Sequence, residues 1–444
     1  MEKILMKTFS LGGIHPHDYK LSRDKAIEQM PLPESVTIFT SQHIGAPAKP
    51  TVKKGDKVLV GDLIAASGGF VSANVHSSVS GTVASVDMAM DGGGVRKMAV
   101  VITVEGDEWK ADVDISDTLV NECTLEPKEI IDKVAQAGIV GLGGATFPTQ
   151  VKLGIPAGKT AEILIVNGVE CEPYLTADHR LMLERADEIM VGCHIVMRAL
   201  GVTRCCIGIE NNKPDAIAIL QSKASDGVEV VPLKVQYPQG GEKQLIEAIS
   251  GRKVPSSCLP IEVGAVVQNV GTIYAIYQAV QKNRPLVDRV VTVTGKHLAE
   301  PRNLQVRIGT PISHLIEYCG GEPDHTGKII NGGPMMGRAM SNVESPVTKG
   351  TSGILMMSAK EAVRAKASSC ISCSKCTQVC PMGLEPYLLF KISKATLWDR
   401  LEAERITDCI ECGCCAYTCP ASLPLLDYIR LGKTQTMSII RSRK

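Results

Sequence analysis

Eight cysteines near the end of this 444-residue chain stand at metal-binding spacing. The run C-I-S-C-S-K-C-T-Q-V-C-P supplies Cys370, Cys373, Cys376 and Cys380 before Pro381. The run C-I-E-C-G-C-C-A-Y-T-C-P supplies Cys409, Cys412, Cys415 and Cys419 before Pro420. Both read C-x2-C-x2-C-x3-C-P, a pattern that holds [4Fe–4S] cubanes. Three close thiolates wrap three corners of one cubane, and the fourth, leaving on a proline turn, reaches the other. Cluster one then takes Cys370, Cys373, Cys376 and Cys419; cluster two takes Cys409, Cys412, Cys415 and Cys380. A zinc site wants four ligands, usually in two C-x2-C knuckles, not twin runs of four ending in proline. Spacing leaves Cys414 as a packed neighbour. The scattered Cys123, Cys171, Cys193, Cys205, Cys206, Cys258 and Cys319 read as small buried hydrophobes.

A second stretch with chemistry in it is G-I-V-G-L-G-G-A-T-F-P-T-Q-V-K-L, Gly138 to Leu153. Its glycines let backbone N–H groups approach a phosphate or a planar ring, and Lys152 adds a charge. It follows a helix pattern, so it is not the dinucleotide G-x-G-x-x-G, and it lacks the G-K-[ST] of a P-loop. Alone it reads as a plain turn rather than a ligand loop. After the strand-like A-E-I-L-I-V comes N-G-V-E-C-E-P-Y, with Asn167, Glu170 and Glu172. In open α/β sheets, ligands sit beyond the carboxyl ends of strands. Further on, Gly240 and Gly241 lead into a helix pattern with Glu242 in its first turn.

The elements that must position these residues follow from periodicity. Residues 1–30 are polar and irregular. Residues 33–105 alternate apolar side chains between glycine turns, twice over (Lys53–Ala65 and His76–Val86), which predicts a small β-sandwich. The stretch resembles biotinyl and lipoyl carrier folds, but their lysine position falls on Phe70, so the module is structural. From about residue 127 helix and strand patterns alternate, which predicts a three-layer α/β domain over 120–280. Residues 289–355 are strand-rich around G-G-P-M-M-G (Gly332–Gly337), and from Ser358 the chain reads as helices around the cysteines.

Composition narrows the function classes. Net charge is +1 and aromatics are 4%, which gives neither a field nor a stacking surface for nucleic acid. No stretch approaches the ~18–20 apolar residues that span a bilayer, and the first residues do not read as a signal peptide. Sixteen cysteines with half in cluster runs fit a reducing cytosol. The reading is a cytosolic protein, soluble or peripheral to a membrane.

Four motifs in order resemble the NADH-oxidising flavoprotein subunit of respiratory complex I. They are G-L-G-G-A-T-F-P-T-Q-V-K from Gly141, N-G-V-E-C-E-P from Asn167, Y-P-Q-G-G-E-K-Q-L from Tyr237 and Q-N-V-G-T from Gln268. That family carries an arginine at Leu142, a glycine at Thr146, an aspartate at Val169, an asparagine at Gln268 and a glutamate at Gly271. Over nearly the whole chain the sequence also resembles the RnfC family, the iron–sulfur flavoproteins of Rnf ferredoxin:NAD oxidoreductases, through G-G-I-H-P at Gly12 and S-Q-H-I-G-A-P-A at Ser41. The resemblance implies a multidomain α/β protein. Its parts are an N-terminal barrel-sandwich hybrid (1–115), an FMN/NADH-binding α/β core (120–285), a small SLBB-like β-grasp module (286–356), a helical ferredoxin-like domain for two [4Fe–4S] clusters (358–430) and a basic tail (431–444).

It also implies FMN held by Gly141, Gly143, Gly144, Lys152, Asn167, Glu170, Tyr237, Gly241, Glu242 and Asn269. Phe147 would meet the nicotinamide or adenine of NADH, and Glu172 would orient the dinucleotide; Glu170 and Glu172 are the catalytic candidates. The implied chemistry is hydride exchange between NAD(H) and FMN, then single-electron passage to or from the clusters. Implied partners are the membrane and iron–sulfur subunits of such a complex, with ferredoxin reached through one of them. The location implied is peripheral, on the cytoplasmic face of the cell membrane, with ion translocation left to the partners. Two other readings stay open: a flavin and iron–sulfur cobalamin reductase of a microcompartment, and an electron wire without a catalytic site.

Overall fold

A computed structural model describes residues 6–443. The α/β core is a four-stranded parallel sheet in the order Val228–Leu233, Cys205–Glu210, Ile163–Asn167, Ala265–Asn269. Its strands are apolar on both faces, as a sheet covered on two sides requires. Leu164 and Val166 point to the layer of helices Pro127–Gln136, Ala186–Leu200 and Val270–Gln281. Ile163 and Ile165 point to the opposite layer with Leu245 and Ile249 of helix Glu242–Ser250. Truncating the fully buried Ile165 to alanine would cost about 2–5 kcal/mol. Helix Pro127–Gln136 starts where Pro127 and a Glu126/Glu129 capping box satisfy its first turn. It stops before Gly138, whose φ of +65° continues no helix.

The N-terminal domain packs a sheet of Ser35–Phe39, Arg96–Gly106, Ser80–Met90 and Lys57–Val58 against a smaller one of Lys49–Pro50, Leu63–Ala66 and Val75–His76. Val36, Ile38, Ile64, Val75, Val83 and Ile102 fill the space between. Phe70 stands 85% exposed.

The third module is a six-stranded mixed sheet with helix Ile312–Tyr318 over it. Its edge strand, Ile27–Gln29, comes from the segment that polarity marked as irregular, and runs parallel to Asn303–Gln305. An edge of three residues has too short a pattern to register as a strand in the sequence.

The cysteine domain is helical. Each motif forms a short helix (Lys375–Gln378 or Cys414–Tyr417), and a longer one follows its proline (Pro386–Lys394 or Leu425–Ser442). The basic tail expected at 431–444 is instead helical through Ser442. Ile429, Gly432 and Thr436 form its buried face, and Gly432 lies against Ser393, Leu401 and Ile406 with no room for a side chain.

Candidate functional site

The parallel sheet turns at its middle: from Ile163–Asn167 the chain adds strands on one side, then returns to place Ala265–Asn269 on the other. Asn167 and Asn269 end these two neighbouring strands, directly opposite each other in register. This is the switch point at which open α/β sheets bind ligands. The Asn167 amide donates to the Gly240 carbonyl (2.9 Å), which ties the Gln239–Glu242 turn to the strand end. Asn269 Oδ1 accepts from Gly271 and Thr272 N–H at the start of helix Val270–Gln281, and its Nδ2 donates to Asp178 (2.7 Å).

The glycine loop lies over Asn269. Gly141 N–H donates to the Phe147 carbonyl (2.8 Å), and Leu142 N–H to the Thr272 hydroxyl (2.9 Å), so both ends of the loop are pinned. A Cβ on Gly143 would stand 3.2 Å from the Cβ of Asn269, while one on Gly144, at φ +129°, would meet nothing within 4 Å. The loop is therefore tight below and open above, which is a cradle for a flat or phosphorylated ligand. Lys152 donates to Glu242 (2.6 Å) and to the Val267 carbonyl (2.9 Å), so the two charged candidates meet beside the same strand end.

Glu170 and Glu172 point to different places. Glu170, at φ +46°, accepts from the N–H groups of Asp178 (2.8 Å) and His179 (3.2 Å) and so caps helix Ala177–Glu184. Burial, then the Glu170 charge, push the Asp178 carboxyl up to about 7. Glu172 turns outward to the third module and accepts from Met335 (3.1 Å) and Met336 (2.6 Å) N–H in the Gly332–Gly337 loop. Burial pushes Glu172 up to about 7 as well, against the pull of those two N–H groups, Lys20 and Arg430. Gly333 leaves no space for a Cβ beside the Glu172 carboxylate. Arg430 donates to the Met336 carbonyl (3.1 Å) and to Glu411 between two cluster cysteines (3.1 Å). The G-G-P-M-M-G loop thus joins the core to the cysteine domain, a role its sequence signals only through its three glycines.

Tyr237 is 2% exposed, and its hydroxyl donates to the Cys412 carbonyl (2.9 Å). It packs with Ile14, Cys412 and Cys414, the last fully buried. Gly12 and Gly13, both at positive φ, run against the first motif: a Cβ on Gly12 would come within 2.8 Å of Cys380 backbone atoms. Gly13 N–H donates to the Val379 carbonyl (3.0 Å). Gln244, one turn after Gly241, donates to the Pro381 carbonyl (3.2 Å).

Cys380 lines one hollow together with Cys409, Cys412 and Cys415, walled by Pro381, Leu384, Leu389 and Ile429. The first motif's last cysteine thus faces the second motif's first three. Cys370 and Cys373 are exposed, while Cys376 and Cys419 are partly buried. Among the described residues no three ligand-type side chains converge on a single-ion centre; a four-iron core needs its thiolates spread around it. Burial pushes the Cys409 thiol up to about 11, a bias that bound iron reverses. A cleft lined by Leu142, Asp178, Tyr274, Arg284 and Arg289 adjoins this site across Asp178 and reaches the glycine loop at Leu142.

Four family models match. The RnfC barrel sandwich hybrid domain covers residues 7–107, the Nuo51 FMN-binding domain 134–278, the SLBB domain 290–339 and a 4Fe-4S dicluster domain 335–385. The last takes in the first cysteine run. A crystal structure of an NAD+-reducing [NiFe]-hydrogenase shares the fold over 70% of this chain and 66% of its own, at TM-score 0.51 and 16% identity. The C-type component of the proton-translocating ferredoxin:NAD(+) oxidoreductase complex of Clostridium ljungdahlii is 47% identical over 97% of this chain and 94% of its own. The corresponding component of the Na(+)-translocating complex of Acetobacterium woodii is 45% identical over 96% and 97%. At that identity over nearly the full length, the chain belongs to the RnfC family of ion-translocating ferredoxin:NAD oxidoreductase, or Rnf, complexes.

Proposed function

We propose that the chain exchanges hydride between NAD(H) and FMN at the sheet switch point and relays single electrons between that site and two [4Fe–4S] clusters. The observation that carries this reading is the join at Tyr237 and Cys412: the flavin-type core meets the cysteine domain at the second motif. FMN, when bound, would take up one hydride from NADH and pass its two electrons on singly.

The chain's own residues supply position and charge. Gly141, Gly143 and Gly144 offer a cradle without side chains. Lys152 and Glu242 present a charge pair at the strand end, and Asn167, Asn269 and Gly241 fix the turns around it. Glu170 holds the helix start beside Asn269. Phe147 stands at the end of the glycine loop, as the face for the dinucleotide ring. Glu172 orients the dinucleotide only by sharing or releasing the Met335 and Met336 N–H groups.

Cluster two, on Cys409, Cys412, Cys415 and Cys380, is the one next to the core. Cluster one, on Cys370, Cys373, Cys376 and Cys419, has the two exposed cysteines and serves as the exit toward a partner protein. No helix among the described residues is long and apolar enough to cross a membrane. The proposed location is peripheral, on the cytoplasmic face, with ion translocation and ferredoxin contact in partner proteins of the complex. Rapid mixing of the anaerobic protein with NADH tests the reading. Flavin bleaching should precede cluster reduction; clusters that dithionite reduces but NADH does not reach would overturn it.

A further inference from the structure

The loop from Val169 to Thr176 carries both candidate glutamates, yet it has almost no regular structure. Glu170 and Tyr174 sit in the left-handed region, at φ +46° and +72°, where non-glycine residues need outside support. That support comes from two ammonium groups. Lys20 Nζ donates to three of the loop's carbonyls, Glu170 (2.9 Å), Glu172 (2.9 Å) and Leu175 (2.6 Å). Lys213, 2% exposed, donates to a fourth, Val169 (2.7 Å), and to the Asn212 side chain (3.0 Å). Lys213 has the equally buried Glu210 3.7 Å away.

Lys20 uses all three of its donors on backbone oxygens, which is the full capacity of an ammonium. The segment that carries it is stitched along the same loop. Tyr174 N–H donates to the Asp18 carbonyl (2.8 Å), Tyr19 stacks on Tyr174 at 5.1 Å, and the Ser22 and Thr176 hydroxyls lie 2.7 Å apart. Enclosure pulls the Lys20 ammonium down from the usual lysine range, and the Glu170 charge opposes that pull.

We infer that Lys20 and Lys213 are positioning residues, a two-cation clamp that turns the carbonyls of the Val169–Leu175 loop inward and so fixes this loop beside the flavin and dinucleotide site, with Glu170 held on the helix start next to Asn269 and Glu172 on the Met335 and Met336 N–H groups. The inference rests on the function proposed above. Lys20 touches neither ligand in this account; it acts through the loop. The N-terminal segment is thereby part of the flavin site rather than an appendage to the cysteine domain. Removing the ammonium leaves three carbonyls without their donor and frees the two left-handed residues to relax.

The experiment uses the full-length protein purified anaerobically, with FMN release on dilution read by fluorescence and loop opening read by hydrogen exchange. Lys20→Met should raise the FMN dissociation constant at least about tenfold, the scale of one lost charge-assisted hydrogen bond. Exchange of amides in 168–176 should quicken while iron and sulfide stay at wild-type content. Lys282 provides the comparison for a buried lysine as such. It is 3% exposed and paired to Asp114 at 2.6 Å, and thirteen residues along the helix, about 20 Å, from Asn269. Lys282→Met should lower the melting temperature and leave FMN affinity within about twofold. Lys20→Gln, which keeps a donor, should fall between wild type and Lys20→Met, and decides the matter if the methionine variant does not fold. Wild-type FMN affinity and wild-type loop exchange in a folded Lys20 variant would overturn the clamp. If the wild-type protein itself held no FMN, the functional reading would fail, and loop exchange alone would then decide the clamp.

Discussion

The Tyr237 hydroxyl donates a 2.9 Å hydrogen bond to the carbonyl of Cys412, so a residue of the flavin-type core ends on the backbone of a cluster loop. The bond is buried, and its loss leaves the Cys412 carbonyl unpaired. Tyr237→Phe should cost about 1–3 kcal/mol and change the EPR signal of the cluster on the second motif. The FMN content should stay normal, because the ring still fills its place beside Ile14. A variant that loses flavin but keeps wild-type cluster spectra would show that Tyr237 serves the flavin directly.

Cross-ligation is tested separately for each cluster. Cys380 shares its hollow with Cys409, Cys412 and Cys415, so Cys380→Ser should alter the cluster of the second motif. Cys419→Ser should alter that of Cys370, Cys373 and Cys376. Mössbauer or EPR spectra in which each serine affects only the cluster of its own motif would refute the exchange.

The two glutamates should separate by phenotype. Glu170 accepts two N–H groups at a helix start, and Glu170→Ala should cost about 0.5–2 kcal/mol and release FMN. Glu172→Gln should raise the apparent NADH constant roughly tenfold or more in a ferricyanide assay, with flavin content unchanged. Wild-type kinetics in that variant would remove Glu172 from the dinucleotide site and leave it as a tether for the Met335–Met336 loop.

A pH test follows from the same carboxyl. Glu172 titrates at about 7 in the folded chain against an ordinary 4.5, because burial disfavours its charge. The folded state therefore binds more protons between those values, and the stability this gives is lost as pH rises through 7. The protein should melt lower at pH 8 than at pH 6, and Glu172→Gln should shrink that difference. Asp178, raised in the same direction, should preserve part of it. An undiminished difference in the variant would mean that Glu172 does not titrate in this range.

The cysteine spacing and Asn167 were legible because their chemistry is local: fixed intervals for the ligands, and a turn after an apolar strand for Asn167. Asn269, which ends the short strand Ala265–Asn269, came only through the family resemblance. Partners far apart in sequence were not. Glu172 meets Met336 across 164 residues, Tyr237 meets Cys412 across 175, and Lys20 meets Glu170 across 150. No periodicity announces such pairs. The Ile27–Gln29 strand was hidden for a related reason, since its partner Asn303–Gln305 lies in another module. The last helix was hidden by its basic ending, which masked the spacing of Ile429, Gly432 and Thr436 on one face.

The central claim, that one chain joins a flavin site to two cubanes, is tested most directly by its cofactor content. Protein purified anaerobically should carry one FMN with about eight irons and about eight acid-labile sulfides, two cubanes' worth, and NADH alone should reduce both kinds of centre. Full iron and sulfide with no flavin after reconstitution, and no reduction by NADH, would contradict the account and leave an electron wire in its place.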